Sequence, residues 1–219
     1  LKSFFGNLLA NDEIDLLNSY FTKIEWLIHT LVIYLFGITS VLIIPFVIIY
    51  TSGVNDANYY APLIAIILIL AQTVYSVRTP YQQMILAAGH YRQTQMSSII
   101  EVAINVVLSV ILVNRLGLIG VAIGTLCAMI YRTLYLVKYL SNNIVHRPVS
   151  IFFKHFFVDI LTFGLMLLIA SLMNISPISI KEWVIDAIIL GIVFLILVLV
   201  INLIFYKEHV ISIFRRILR

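Results

Sequence analysis

The chain has 219 residues, of which 62% are hydrophobic and 11% are charged, and its mean hydropathy is +1.08. Soluble domains carry roughly 25% charged residues, so this composition excludes a soluble fold of this size, a disordered tail and a nucleic-acid-binding module. The single cysteine, Cys127, excludes an intrachain disulfide and a cysteine-based metal site. The sequence therefore predicts an all-α, polytopic transmembrane helix bundle.

The segment from Leu1 to Glu25 precedes the first long apolar run. Its apolar residues recur at helical spacing on both sides of Asn11-Asp12-Glu13. This pattern predicts the end of a preceding helix, a cytoplasmic turn and an amphipathic lead-in to the first span; the alternative is an interfacial helix lying on the membrane. Because the chain begins with Leu1 and no signal peptide opens it, we expect a C-terminal piece of a longer protein.

Six apolar runs follow, each near the roughly 20 residues that a transmembrane helix needs. Bounding charges give six predicted spans: about Trp26 to Tyr50, near Tyr59 to Arg78, about Thr94 to Val113, Gly117 to about Leu140, between Asp159 and Lys181, and between Asp186 and Lys207. The chain thus divides into the lead-in (1–25), four transmembrane helices (26–140), and two further transmembrane helices with a basic cytoplasmic tail (141–219).

The basic residues set the predicted orientation, because cytoplasmic loops carry an excess of lysine and arginine. Only Arg115 and Lys181 fall on one side of the six spans. The other twelve fall on the opposite side: Lys2, Lys23, Arg78, Arg92, Arg132, Lys138, Arg147, Lys154, Lys207, Arg215, Arg216 and Arg219. We therefore expect both ends of the chain to be cytoplasmic.

A polar stripe runs along the third span. Its members recur every four residues and so lie on one slanted face of a helix: Ser97, Glu101, Asn105 and Ser109. Polar groups are costly inside a membrane unless they are paired or used. Glu101 and Asn105 either line a polar lumen or form hydrogen bonds between helices, and Glu101 also lies close enough to the cytoplasmic end to reach the headgroups.

Two arginines lie near predicted helix ends. If the second span stops at Arg78, that residue is an interfacial anchor. If the helix instead continues to Ala88 with a kink at Pro80, Arg78 lies inside the membrane and points into the protein, flanked by Gln72, Gln82 and Gln83. Arg132 lies about two turns from the end of span four, where it either snorkels to the headgroups or points into a cavity.

The remaining signals point to packing rather than chemistry. His29 is alone in span one, and a satisfied buried histidine is favoured over a proton relay. Gly120, Gly124 and Ala128 form a small-residue face that lets another helix approach closely. The sequence has no phosphate-binding glycine loop, no paired histidines at metal spacing and no Ser/His/Asp set. It therefore predicts no enzyme, no cofactor and no metal.

A pattern of glycines and apolar blocks covers about Leu1 to Leu140. It comprises Leu8-Leu9-Ala10-Asn11-Asp12-Glu13-Ile14, Leu86-Ala87-Ala88-Gly89-His90-Tyr91-Arg92, Ile99-Ile100-Glu101, Asn105-Val106-Val107-Leu108-Ser109 and Leu116-Gly117-Leu118-Ile119-Gly120-Val121-Ala122-Ile123-Gly124-Thr125. This pattern resembles the C-terminal half of the bacterial polysaccharide exporters. These form the O-antigen flippase-like branch of the superfamily that includes multidrug and toxin extrusion antiporters.

The resemblance implies a two-lobed exporter whose central cavity opens to each side in turn. It implies transport of an undecaprenyl-diphosphate-linked oligosaccharide across the bacterial plasma membrane for surface polysaccharide synthesis. The implied partners are this lipid-linked oligosaccharide, membrane lipids, a polysaccharide polymerase and glycosyltransferases, and not nucleic acid. Candidate lumen residues are Arg78 and then Arg132 for the diphosphate, with Gln72, Gln82, Glu101 and Asn105 for the sugars.

Two other functions remain open at this stage. A cation-coupled multidrug antiporter of the same superfamily would use a carboxylate as its ion site, and Glu101 is the acidic candidate well inside a span. A membrane-bound enzyme of glycan assembly would need a His or Asp pair near a membrane surface, which His29 alone does not provide.

Overall fold

The computed structural model describes residues 1–11, 13–54 and 56–217. Asp12, in the predicted turn, and Arg219, among the predicted cytoplasmic basic residues, lie outside the described residues. The fold is 85% helical, and the described residues contain no strand. Six helices are long and apolar enough to cross a membrane, so the prediction of an all-α transmembrane bundle is confirmed.

Nine helices are formed by the described residues. They are α1 (Lys2–Ala10), α2 (Ile14–Tyr50), α3 (Pro62–Val77), α4 (Thr79–Ala87), α5 (Tyr91–Leu116), α6 (Leu118–Asn143), α7 (Ser150–Met173), α8 (Ile180–Phe205) and α9 (Lys207–Ile217). In the segment before span one, α1 ends at Ala10, and α2 begins at Ile14 and continues through span one without a break.

Of the two alternatives predicted for the second span, the structure has the longer one, in which the helix continues past Arg78. Helix α3 ends at Val77, Arg78 keeps right-handed helical angles, and α4 continues to Ala87 with a proline in its first turn. Pro80 has no N–H to donate to the Ser76 carbonyl, so the hydrogen-bond ladder is interrupted at this point. The chain remains helical on both sides of Arg78, and the combined run of 26 residues is one membrane-span candidate.

Helices α7 and α8 begin before the charged residues that bound the predicted spans five and six. Helix α7 begins at Ser150, so Lys154 and Asp159 lie within it, and α8 begins at Ile180, so Asp186 lies within α8. The start of α8 has a local cause. The Ser179 side chain accepts a hydrogen bond from the Glu182 backbone N–H, and the Glu182 carboxylate accepts one from the Ile178 N–H. Such reciprocal capping fixes a helix N-terminus.

The chain forms two compact units, and α2 contributes to both. Unit 1 contains Leu1–Ile28 and Ile66–Phe153, and unit 2 contains His29–Ala65 and Lys154–Arg219. The core of unit 1 includes Phe5, Phe21 and Tyr81 packed with Leu136 and Leu140. Unit 2 contains an apolar core cluster that includes Leu42, Met166, Leu190, Phe194 and Val198.

Within unit 1, α5 and α6 approach each other almost backbone to backbone. A Cβ atom added to Gly120 would lie 2.6 Å from the Leu112 carbonyl carbon, and one added to Gly124 would lie 2.6 Å from Ser109 Oγ. Gly120, Gly124 and Ala128 are all buried. The predicted small-residue packing face is therefore present, and it holds together the two helices that carry Glu101 and Arg132.

Candidate functional site: an arginine–glutamate cluster beside a polar cavity

Three charged side chains meet inside unit 1 and form what we call the arginine–glutamate cluster: Arg78, Glu101 and Arg132. Arg78 Nη1 lies 2.6 Å from Glu101 Oε1, and Arg132 Nε lies 4.0 Å from Glu101 Oε2. Each arginine comes from a different element, since Arg78 occupies the α3–α4 junction and Arg132 lies on α6, while Glu101 lies on α5. One carboxylate thus serves two guanidinium groups.

Arg78 is turned into the protein rather than toward a helix end. It is 5% exposed, and its guanidinium lies 4.7 Å from the centre of the Tyr75 ring. Among the described residues its Nε has no hydrogen-bond partner. Of the two sequence alternatives, the inward-pointing Arg78 is the one the structure adopts. Its charge is taken up by Glu101 and by the face of Tyr75.

Arg132 is buried as well, with an exposure of 8%. Its Nη1 donates to the Ser98 hydroxyl on α5, so the guanidinium is held within unit 1 and is not exposed on the surface of α6. It instead lines an open cavity of about 400 Å³ within unit 1. The other residues around this cavity are Gln82, Ile85, Leu86, Tyr91, Thr94, Gln95, Ser98 and Leu136.

The cavity combines amide and hydroxyl groups with one arginine. Gln82 comes from α4, Gln95 and Ser98 come from the first turns of α5, and Arg132 closes the wall from α6. Two arginines against one glutamate leave an excess of one positive charge in the cluster. A buried charge without a counter-ion is costly, so this arrangement favours an anionic group entering beside Arg132.

The structure brings together four of the six predicted site residues. Gln82 and Arg132 share the cavity wall, and Arg78 and Glu101 lie behind Arg132. Asn105 lies one turn further along α5, where its side-chain oxygen accepts from Ser109 at 3.1 Å and from Thr125 at 3.4 Å. Asn105 therefore joins α5 to α6 by hydrogen bonds. This is the second of the two alternatives predicted for it, a hydrogen bond between helices rather than a place in a polar lumen. Gln72 is exposed on α3 and is not part of the cavity lining.

A second buried ion pair in unit 1 has no counterpart in the sequence-based site. Arg147 Nη2 lies 2.6 Å from Glu25 Oε2, and Tyr81 donates its hydroxyl proton to Glu25 Oε1. The guanidinium also lies 4.6 Å from the centre of the Phe21 ring. In the sequence analysis Glu25 served only as a span boundary, and Arg147 only as one of the basic residues that set the predicted orientation. Their contact ties α2 and α4 to the segment between α6 and α7.

Unit 2 contains a buried histidine–aspartate pair that sequence reasoning missed. His29 Nδ1 on α2 lies 2.5 Å from Asp159 Oδ2 on α7, and His155 of α7 stacks on the His29 ring. The spacing of four between His155 and Asp159 places them on one helix face, which was the available signal. No three His, Cys, Asp or Glu side chains are placed to hold a metal ion in the part of the chain that the structure describes.

Comparisons with known proteins identify no relative of this chain. No protein-family model, no curated protein and no solved structure matches it.

Proposed function

We propose that the chain belongs to a membrane transporter that translocates undecaprenyl-diphosphate-linked oligosaccharide for surface polysaccharide synthesis. The observation that carries the proposal is the arginine–glutamate cluster, with its excess positive charge, beside a cavity lined by amides and hydroxyls. This lipid-linked oligosaccharide, called the passenger below, has the complementary chemistry, since its diphosphate is anionic and its sugars are rich in hydroxyl groups. The transporter acts in the bacterial plasma membrane, between the glycosyltransferases that build the passenger and the polymerase that uses it.

Each cluster residue has a distinct role in this proposal. Arg132 meets the diphosphate, because it is the arginine on the cavity wall. Guanidinium groups bind phosphate oxygens through two parallel charge-assisted hydrogen bonds. Glu101 holds both arginines in place, and Arg78 supplies charge from behind without reaching the cavity wall. Gln82, Gln95 and Ser98 offer hydrogen bonds to sugar hydroxyls.

The same geometry argues against the antiporter of cationic compounds. That function needs a carboxylate free to exchange an ion with its substrate. Glu101 is instead engaged by Arg78 at 2.6 Å and faces Arg132 at 4.0 Å. A cationic substrate beside Arg132 would meet a like charge in a medium that screens charges poorly.

The test is a flipping assay on the full-length protein in liposomes that contain a fluorescent lipid-linked oligosaccharide. A membrane-impermeant quencher reports the fraction that has crossed. Truncating an arginine that bonds a phosphate costs about 1.5–3 kcal/mol, so Arg132→Ala should slow flipping by about 10- to 100-fold. Arg132→Lys keeps the charge but not the paired hydrogen bonds, and should fall between wild type and Arg132→Ala.

Arg115→Ala is the matched control, because Arg115 is exposed at the far end of α5. It should flip at the wild-type rate. Wild-type protein that moves the probe no faster than empty liposomes would refute the proposed function. Wild-type rates in Arg132→Ala, with normal amounts of protein in the liposomes, would remove Arg132 from the binding site.

A further inference from the structure

We propose that unit 2 contains a proton-binding site, the His29–Asp159 pair, together with a stack of titratable rings that connects this pair to water at the α8–α9 junction. The inference rests on the transport function proposed above, for which the site would bind the coupling proton. It concerns residues that take no part in the arginine–glutamate cluster.

The inner end of this path is the His29–Asp159 pair. The two side chains approach to 2.5 Å, His29 is 2% exposed, and the Asp159 side chain is 14% exposed. Histidine is the side chain whose ordinary titration range falls near neutral pH. A histidine and a carboxylate at this distance can share one proton, and the pair changes its net charge by one when that proton leaves.

Three further titratable rings, those of His155, Tyr206 and His209, continue the stack outward from the pair. The His29 and His155 ring centres lie 5.1 Å apart, those of His155 and Tyr206 lie 5.1 Å apart, and those of Tyr206 and His209 lie 6.3 Å apart. All three ring pairs are stacked. The four side chains come from α2, α7, the α8–α9 junction and α9, so the stack is built by tertiary packing rather than by one helix.

The outer end of the stack opens to solvent. Tyr206 and His209 line a cavity of about 330 Å³ together with Lys154, Lys207 and Glu208. Lys154 and Lys207 belong to the basic set that predicts the cytoplasmic side. The ring stack therefore runs from the buried pair to a cavity on the side that the basic residues predict to be cytoplasmic, with Tyr206 and His209 at its outer end.

The free-energy cost of burying the His29–Asp159 ion pair indicates that the pair does more than stabilise the fold. Replacing a buried ion pair by apolar side chains of similar volume is often neutral or stabilising. Ionisable groups inside a transmembrane bundle mark candidate functional sites, because they are costly there. The ring stack links this pair to an open cavity.

Several other charged or titratable groups lie around the path within unit 2. Lys154 lies 5.4 Å from the centre of the Tyr206 ring, and Lys207 and Glu208 share the outer cavity. Thr30, next to His29, donates to the Asn202 side chain at 3.1 Å. Glu25, one turn before His29 on α2, is ion-paired with Arg147.

The first experiment measures coupling in liposomes with a pH gradient, acidic on the side of the predicted extracellular loops. If one proton enters for each passenger that leaves, one pH unit shifts the steady-state ratio of passenger between the two leaflets by about tenfold. Asp159→Asn and His155→Phe should bring this ratio to about one, because the passenger site in unit 1 remains intact while the proton site is lost. His90→Gln, a histidine substitution in unit 1, should keep the tenfold shift.

The second experiment detects the proton without transport. Infrared difference spectra of the purified full-length protein between acidic and alkaline buffer should contain a carboxylic acid band that is absent in Asp159→Asn and altered in His155→Phe. His155→Phe preserves the stacked ring, so it decides the question if Asp159→Asn fails to fold. If wild type does not flip the passenger, the proposed function fails and the infrared band alone decides the proton site. A tenfold ratio retained in both variants, or an infrared band unchanged by both, would overturn the proposal.

Discussion

Glu101 is the residue on which the geometry of the candidate site depends. Its two carboxylate oxygens face different arginines, Arg78 at 2.6 Å and Arg132 at 4.0 Å. Without that negative charge, two guanidinium groups would face each other in a region that screens charge poorly. The carboxylate therefore stabilises the fold at the same time as it orients the arginine that lines the cavity.

Glu101→Gln should destabilise the protein and impair transport together. Removing one partner of a buried ion pair typically costs about 3 kcal/mol, because the remaining charge has no counter-ion. The expected result is a melting temperature several degrees below wild type in detergent, with flipping slowed by at least as much as in Arg132→Ala. Thermal unfolding of the purified protein and the liposome assay measure the two effects.

Glu13→Gln provides the comparison, since Glu13 is exposed. An exposed substitution away from special features changes stability by about 0.5 kcal/mol or less. A Glu101→Gln protein with the melting temperature of wild type would show that the two arginines do not need the carboxylate, and would contradict the role given to Glu101.

At the scale of elements, the contact between α5 and α6 sets the position of the candidate site. Gly120 faces the backbone of Leu112 and Gly124 faces Ser109, both within a distance that no real Cβ would tolerate. Asn105 then bridges the two helices through Thr125 at 3.4 Å. Because Glu101 and Arg132 lie on these helices, their separation depends on the glycines.

Gly120→Ala should therefore be destabilising although alanine is the better helix former. The new methyl group would meet the Leu112 backbone at 2.6 Å, so the helices must separate. Overpacking of this kind costs about 1–3 kcal/mol.

Gly164→Ala on α7 is the matched control, because nothing lies within 4 Å of its added Cβ. The control should gain about 0.5–1 kcal/mol from helix propensity, and thermal unfolding of the two variants gives the sign of each effect. Equal melting temperatures for the two variants would contradict the close approach of α5 and α6.

The elements also show where sequence reasoning succeeds and where it fails. Runs of apolar residues predict six spans, since length and hydropathy are local properties. The charges used as span boundaries do not mark where helices begin: Asp159 lies within α7, where His29, 130 residues earlier in the chain, pairs with it. Asp186 lies within α8, because Ser179 and Glu182 cap that helix earlier. Contacts between residues that are far apart in the chain produce no periodic pattern in the sequence, so periodicity does not predict them.

The same distinction holds for the candidate site. Sequence spacing predicts the polar stripe of α5, since residues four apart share a helix face. It does not predict that Arg78 and Arg132 meet at Glu101, because their meeting depends on how α3, α4 and α6 pack against α5. For the same reason it leaves open the role of Asn105, which the structure places in the α5–α6 contact.

For the whole molecule, the asymmetry of basic residues is the property that predicts the orientation in the membrane. Twelve of the fourteen lysines and arginines fall on one predicted side. The segment between α7 and α8 contains no lysine or arginine, whereas the segment between α6 and α7 contains Arg147. The asymmetry predicts that the former is extracellular and the latter cytoplasmic.

Cysteine labelling of intact cells tests this orientation directly. In a Cys127→Ala background, Ser176→Cys should react with a membrane-impermeant maleimide, because Ser176 is exposed between α7 and α8. Asn142→Cys, exposed at the end of α6, should react only after the membrane is opened. Labelling of both residues in intact cells, or the reverse order of reactivity, would contradict the orientation. It would also place the Lys154–His209 cavity on the extracellular side, so that the pH gradient of the coupling assay would have to be inverted.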